Sequence, residues 1–163
     1  MDPKVKKLLA TPKAKLDDLY RASAPGKIPV GDTLGTAIIY PGTFIAWLFA
    51  RLMKWFIWQG KVFHPEEEFL LNKIWPWGKL ALKAKVSIVD NSWIDDKETI
   101  LIDYSEHKGW LGKVRDEIRE IEPGLYLGKV WIGKKRMLDF VLVPGKAPPD
   151  KAATPVQADE TTG

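Results

Sequence analysis

Residues 79–88 read KLALKAKVSI, and this stretch decides the fold. Leu80, Leu82, Ala84, Val86 and Ile88 alternate with Lys83, Lys85 and Ser87. A period of two puts one set of side chains on a dry face and the other on a wet face, which predicts a half-buried β-strand. Working outward, the turn-rich DNSWIDDKE (residues 90–98) leads to a second strand over about Thr99–Ser105. A third is expected over about Lys113–Ile121. Pro123-Gly124 turns the chain into a fourth, Leu125–Ile132. Gly133-Lys134 fits a tight hairpin into a fifth, Arg136–Val143. Successive antiparallel strands this close in sequence predict an α+β, mainly β fold. The sheet either closes towards a lipocalin-like barrel or wraps its dry face on a helix.

Upstream, the segment TFIAWLFARLMKWFIWQ (residues 43–59) predicts one long apolar helix over about 42–59, with Gly60 as its C-terminal cap. On a helical wheel Trp47, Arg51, Lys54, Trp55 and Trp58 fall within one arc of roughly 100°. Ile45, Phe49, Leu52, Met53, Phe56 and Ile57 lie on the other side. Cations flanked by indole rings and backed by an apolar face suit a membrane interface, with Trp at headgroup depth. A spanning helix would bury Arg51 and Lys54, and Pro41-Gly42 breaks the run. A core helix covering the sheet is the plainer alternative. Residues 28–36 (IPVGDTLGT) read as turn chemistry, and residues 64–78 as a linker.

The ends differ from the middle. Residues 1–27 mix Lys, Asp, Ala and Pro and are expected to be a short helix, over about Pro12–Ala22, or disordered. Residues 28–145 form the single β-rich domain. Residues 146–163 are Ala-, Pro- and Thr-rich and are expected to be a disordered tail. The N-terminus carries charge but no apolar core, so no cleaved signal peptide is expected. The chain is placed in the cytoplasm, peripheral at the inner membrane face.

Composition narrows the chemistry. With no cysteine, structural disulfides, thiolate nucleophiles and Cys-based zinc sites are excluded. His64 and His107 stand alone, so no metal is expected. There is no P-loop, nucleophile elbow or dinucleotide fingerprint, and no cofactor is expected. A net charge of +4 permits anionic partners without requiring them, and nucleic acid is not the expected one. Eight tryptophans exceed what packing alone requires; indole favours places that are half dry and half wet.

The third strand, KVRDEIREI, has no cleanly apolar face. If Val114 and Ile118 point inward, Asp116 is carried inside with them, and a buried carboxylate needs a cation or several donors. Ile100, Ile102 and Tyr104 share one face of the second strand, so Tyr104 and Asp116 are expected to meet inside a barrel. The bland alternative is an exposed edge strand whose charges discourage aggregation.

The phrases IPVGDTLGTAIIYPGT, WQGKVF, ILIDYS and VRDEIREIEPGLYLGKVW together resemble an uncharacterised bacterial protein family with a lipocalin-like barrel. The resemblance covers about residues 28–144 and is most specific from Arg115 to Gly128. It implies the barrel and marks that stretch as a shared site. It carries over no activity, cofactor or catalytic residue.

Three functions follow from the residues. The first is a lipid or apolar small-molecule binding protein at a membrane surface. In it Arg115, Arg119 and Lys129 neutralise an anionic head, and Tyr104 and Tyr126 hydrogen-bond it beside Asp116. The second is a small barrel enzyme, an isomerase, hydratase or hydrolase, with Asp116 as general base and Tyr104 as acid. The third is an interaction subunit docking through the Trp-rich helix. The oligomeric state is not legible.

Overall fold

A computed structural model describes residues 1–40, 58–74 and 79–145. Within them, eight strands form a closed antiparallel barrel in sequence order. They are β1 (Gly31–Ile38), β2 (Trp58–His64), β3 (Phe69–Ile74), β4 (Lys79–Val89), β5 (Thr99–Asp103), β6 (Val114–Glu122), β7 (Leu125–Ile132) and β8 (Lys135–Pro144). The first and last strands close the ring, with Thr33 opposite Pro144 and Ile38 opposite Asp139. Closure removes both sheet edges. Strand β6 therefore has neighbours on both sides and is not the edge strand that its charges suggested.

The five C-terminal strands lie where the alternating pattern puts them. The first three depart from the sequence expectation. Residues 28–36, read as turns, enter β1, and the supposed linker contains β3. The long apolar helix is not supported. Its residues 42–57 lie outside the described residues, while Trp58 and Gln59 belong to β2. Gly60 is no helix cap; it sits in that strand at φ 140°. A Cβ there would stand 2.1 Å from the Thr33 carbonyl oxygen, so β1 and β2 approach too closely for any other residue. Among the described residues no helix is long and apolar enough to cross a membrane.

Strand β4 departs from strict alternation. Leu71 pairs with Lys83 and Asn72 with Ala81, so Leu82 is the extra residue of a bulge and adopts φ 52°. The bulge ends the dry face early. Ala84 and Val86 are buried, but Leu80 is 47% and Leu82 39% exposed.

The inside of the barrel is filled by residues including Phe63, Leu70, Val86, Ile100, Ile102, Ile118, Leu138, Phe140 and Leu142. A second core lies outside the wall. The N-terminal segment is ordered as α1 (Pro3–Leu9) and α2 (Lys13–Arg21). The Asp2 side chain caps α1 by accepting from the Lys4 amide at 2.7 Å. The apolar stripe Val5, Leu8, Leu16 and Tyr20 packs on Ile38, Leu125, Leu127 and Val141. This second layer explains why β7 and β8 are apolar on both faces. After α2 the chain crosses one end of the barrel, where Ile28 joins the inner core and the Lys27 carbonyl accepts from the Tyr126 hydroxyl at 2.8 Å.

Candidate functional site

Four polar side chains meet inside the barrel: Lys61 from β2, Asn72 from β3, Tyr104 just beyond β5, and Asp116 from β6. All are buried; Lys61 is 2% and Asp116 4% exposed. Local irregularities deliver them. Trp58 and Lys61 are three residues apart and would face opposite ways in a regular strand. A register shift between Trp58 and Gly60 turns both inward. Across the barrel, Asp116 sits between Val114 and Ile118 on the inner face of β6.

The Lys61 ammonium donates to Asp116 Oδ2 at 2.9 Å, Tyr104 Oη at 2.7 Å and Asn72 Oδ1 at 2.9 Å. Those three bonds use all its protons. Asn72 Nδ2 donates to Tyr104 Oη at 2.9 Å and to the Leu82 carbonyl at 2.8 Å, which ties the cluster to the bulge. Trp58 Nε1 donates to Asn72 Oδ1 at 3.2 Å. The rings of Trp58, Tyr104 and Phe140 stand around Lys61, with centroids 5.4–5.5 Å from its Nζ. Gly128 leaves room for one of these rings; a Cβ there would lie 2.2 Å from Phe140 Cζ.

Burial opposes the Lys61 charge, but the Asp116 carboxylate and the Tyr104 oxygen outweigh it and hold the ammonium above its usual range. Burial pushes the Tyr104 phenol up, against the pull of Lys61. One oxygen is left over. Asp116 Oδ1 is buried and has no hydrogen-bond partner. Asp32 Oδ1 has no hydrogen-bond partner either, yet it is ion-paired with Lys73.

Tyr104 and Asp116 thus stand together as their periodicity suggested, with Tyr104 Oη 3.4 Å from Asp116 Oδ2. Their cation, Lys61, was not singled out in the sequence. The bulge at Gly60 hides its direction, and the WQGKVF stretch resembles the end of a helix. The other residues read for the pocket are elsewhere. Tyr126 faces inward, and its hydroxyl is engaged with Lys27. Arg115, Arg119 and Lys129 point out of the barrel, where α2 and the 90–98 loop meet them. Arg119 makes a bidentate pair with Asp95 at 2.7 Å. Arg115 Nε donates to Glu117 at 2.8 Å. Lys129 Nζ lies 2.9 Å from Asp17 and 2.7 Å from Asp139, and Arg136 bonds the same two carboxylates. Glu117, wholly buried, also accepts from Ser92 Oγ at 2.6 Å and the Trp93 amide at 2.9 Å. These outer charges fasten helix and loop to the wall. Of the residues read for membrane contact, Trp47, Arg51, Lys54 and Trp55 lie outside the described residues, while Trp58 packs against the inner core.

Of the histidines, His64 stacks on Phe69 and His107 bonds the Lys83 carbonyl. Among the described residues no cluster of His, Asp and Glu is arranged to hold a metal ion.

No protein-family model matches the chain, and no curated protein matches it. Among solved structures it is similar to a protein from Thermomonospora curvata, with a TM-score of 0.58 and 19% sequence identity. The match covers 88% of this chain and 97% of that one. At this identity the likeness shows the fold alone.

Proposed function

We propose that the barrel binds a small, largely apolar molecule whose polar end donates a hydrogen bond to Asp116 Oδ1. The unpartnered oxygen carries this reading. Buried polar atoms nearly always have partners, and a bare one costs about 1–3 kcal/mol. The side chains that fill the barrel around the cluster, including Ile100, Ile102, Ile118 and Phe140, are apolar, so a ligand that parts them needs an apolar body. A neutral alcohol or amide suits the site better than a fatty-acid carboxylate. Lys61 already has its three acceptors, and a second anion would face Asp116. The proposed place of work is a membrane surface, where such ligands reside.

Native mass spectrometry of the protein as purified tests the reading. A retained neutral ligand, lost in Asp116→Asn, is expected. An empty protein that takes up no long-chain alcohol or amide would overturn it. A second reading is acid–base catalysis, favoured by the contact between Tyr104 Oη and Asp116 Oδ2. In that case the ligand recovered after incubation would differ in mass or in bonding from the one supplied.

A further inference from the structure

The two ends of the barrel carry opposite charge. In an up-and-down barrel the β1–β2, β3–β4, β5–β6 and β7–β8 connections share one end. At that end Lys108, Lys113, Lys134 and Lys135 are exposed, while the Lys83 ammonium stands over the Phe69 ring, towards Glu67 and Glu68. Glu106 is also there, but it is paired with Lys85 at 2.8 Å. At the opposite end Glu66, Glu67, Glu68, Asp90, Asp96, Glu98 and Glu122 are exposed; Lys97 is the exposed cation of the 90–98 loop there, and Lys4 is paired with Glu122.

The basic end is also greasy. Trp110 is 66% exposed in the β5–β6 connection, Ile39 is exposed just beyond β1, and the bulge leaves Leu80 and Leu82 outside the core. These parts are joined into one rim. His107 Nε2 lies 2.6 Å from the Lys83 carbonyl, linking the β5–β6 connection to the bulged strand. The Gly133 amide donates to the Lys113 carbonyl at 2.9 Å, linking it to the β7–β8 turn. Beside Lys113 and Lys134 the outer wall has a depression of about 370 Å³, lined also by Trp93 and Arg115. Leu82 is a bulky residue in a left-handed conformation and is 39% exposed.

We infer that this rim docks on an anionic lipid bilayer, with Trp110, Leu80 and Leu82 at headgroup depth and the lysines on lipid phosphates. The inference rests on the membrane location proposed above and assigns it a face. Charge complementarity selects the occupant: exposed lysines around an indole match an anionic interface, and the acidic opposite end is turned away from it. Docked this way, the end of the barrel nearest the Lys61–Asp116 cluster faces the lipid.

Flotation with vesicles of phosphatidylcholine, and of phosphatidylcholine with phosphatidylglycerol, tests this in the full chain. The wild type is expected to float with the mixed vesicles and not with the neutral ones. The triple variant Lys108→Glu, Lys113→Glu, Lys134→Glu should partition at least tenfold less. Trp110→Ala should weaken binding several-fold, and Glu66→Gln with Glu67→Gln should leave it unchanged or stronger. A wild type that ignores the mixed vesicles overturns both the inference and the membrane location. Rim variants that float like the wild type overturn the inference alone. In either event native mass spectrometry still decides the interior ligand separately.

Discussion

Lys61 and Asp116 join opposite walls of the barrel: β2 and β6 are four strands apart in either direction around the ring, and their side chains meet at 2.9 Å. Removing one partner strands a charge in the interior. Asp116→Ala is expected to cost about 3–5 kcal/mol in urea unfolding. Replacing both, as in Lys61→Met with Asp116→Leu, should recover most of that loss, because apolar residues of similar volume need no counter-charge. A double variant as unstable as the single one would mean that the pair contributes geometry beyond its charge.

The outer network makes the fold acid-sensitive. Burial raises Asp17, but hydrogen bonds from Arg136 and Lys129 outweigh it and hold its carboxyl well below the usual range. Hydrogen bonds from Arg119 lower Asp95 as well. A folded-state pKa below the unfolded one gives stability that is complete above about pH 4 and lost as pH falls towards the folded value. Melting temperature should therefore drop on acidification below about pH 4. Asp17→Asn should be less stable at neutral pH and should show a shallower acid slope.

The four tyrosines provide an alkaline test. Burial raises Tyr20, Tyr40, Tyr104 and Tyr126, the last to about 12, and the bond to Asp139 adds to the shift at Tyr40. For an acid raised in the folded state, stability is complete below the unfolded pKa near 10 and falls as pH rises above it. Phenolate absorbance should stay flat through about pH 10 and then appear together with loss of structure. A phenol titrating near its ordinary value in the folded protein would contradict the burial described.

Gly128 and Phe140 should be coupled. Gly128→Ala puts a methyl into the Phe140 ring and is expected to cost about 1–3 kcal/mol. Adding Phe140→Leu should make the second change cheaper than in the wild type, giving a measurable interaction energy in a double-mutant cycle.

Legibility in the sequence tracked regularity. From β5 to β8 the period of two is mostly kept, and the pairing of Tyr104 with Asp116 followed from counting residues. The N-terminal half of the barrel hides its strands. In β1 the residues 31, 33, 35 and 37 are Gly, Thr, Gly and Ala, which read as turns. At Gly35 a Cβ would lie 2.3 Å from the Trp58 ring, so small residues there answer a large one on β2. In β2 and β4 bulges shift the phase, which concealed Lys61 and made Leu80 and Leu82 look buried. The outer charges of β6 read as a pocket lining because nothing in KVRDEIREI announces the helix and loop that cover them.

Closing the ring by pairing Thr33 with Pro144 also sets an order of assembly. Helices α1 and α2 and strand β1 are made before the β7 and β8 surfaces they pack on. Until then β1 keeps one unpaired edge and the helices keep an uncovered apolar stripe. Pairing so distant in sequence makes folding slow and leaves the nascent chain exposed to aggregation until β8 is made. A chain cut before β8 would lose its seam and present two sticky edges at once, so the last strand governs whether any of the earlier ones survive.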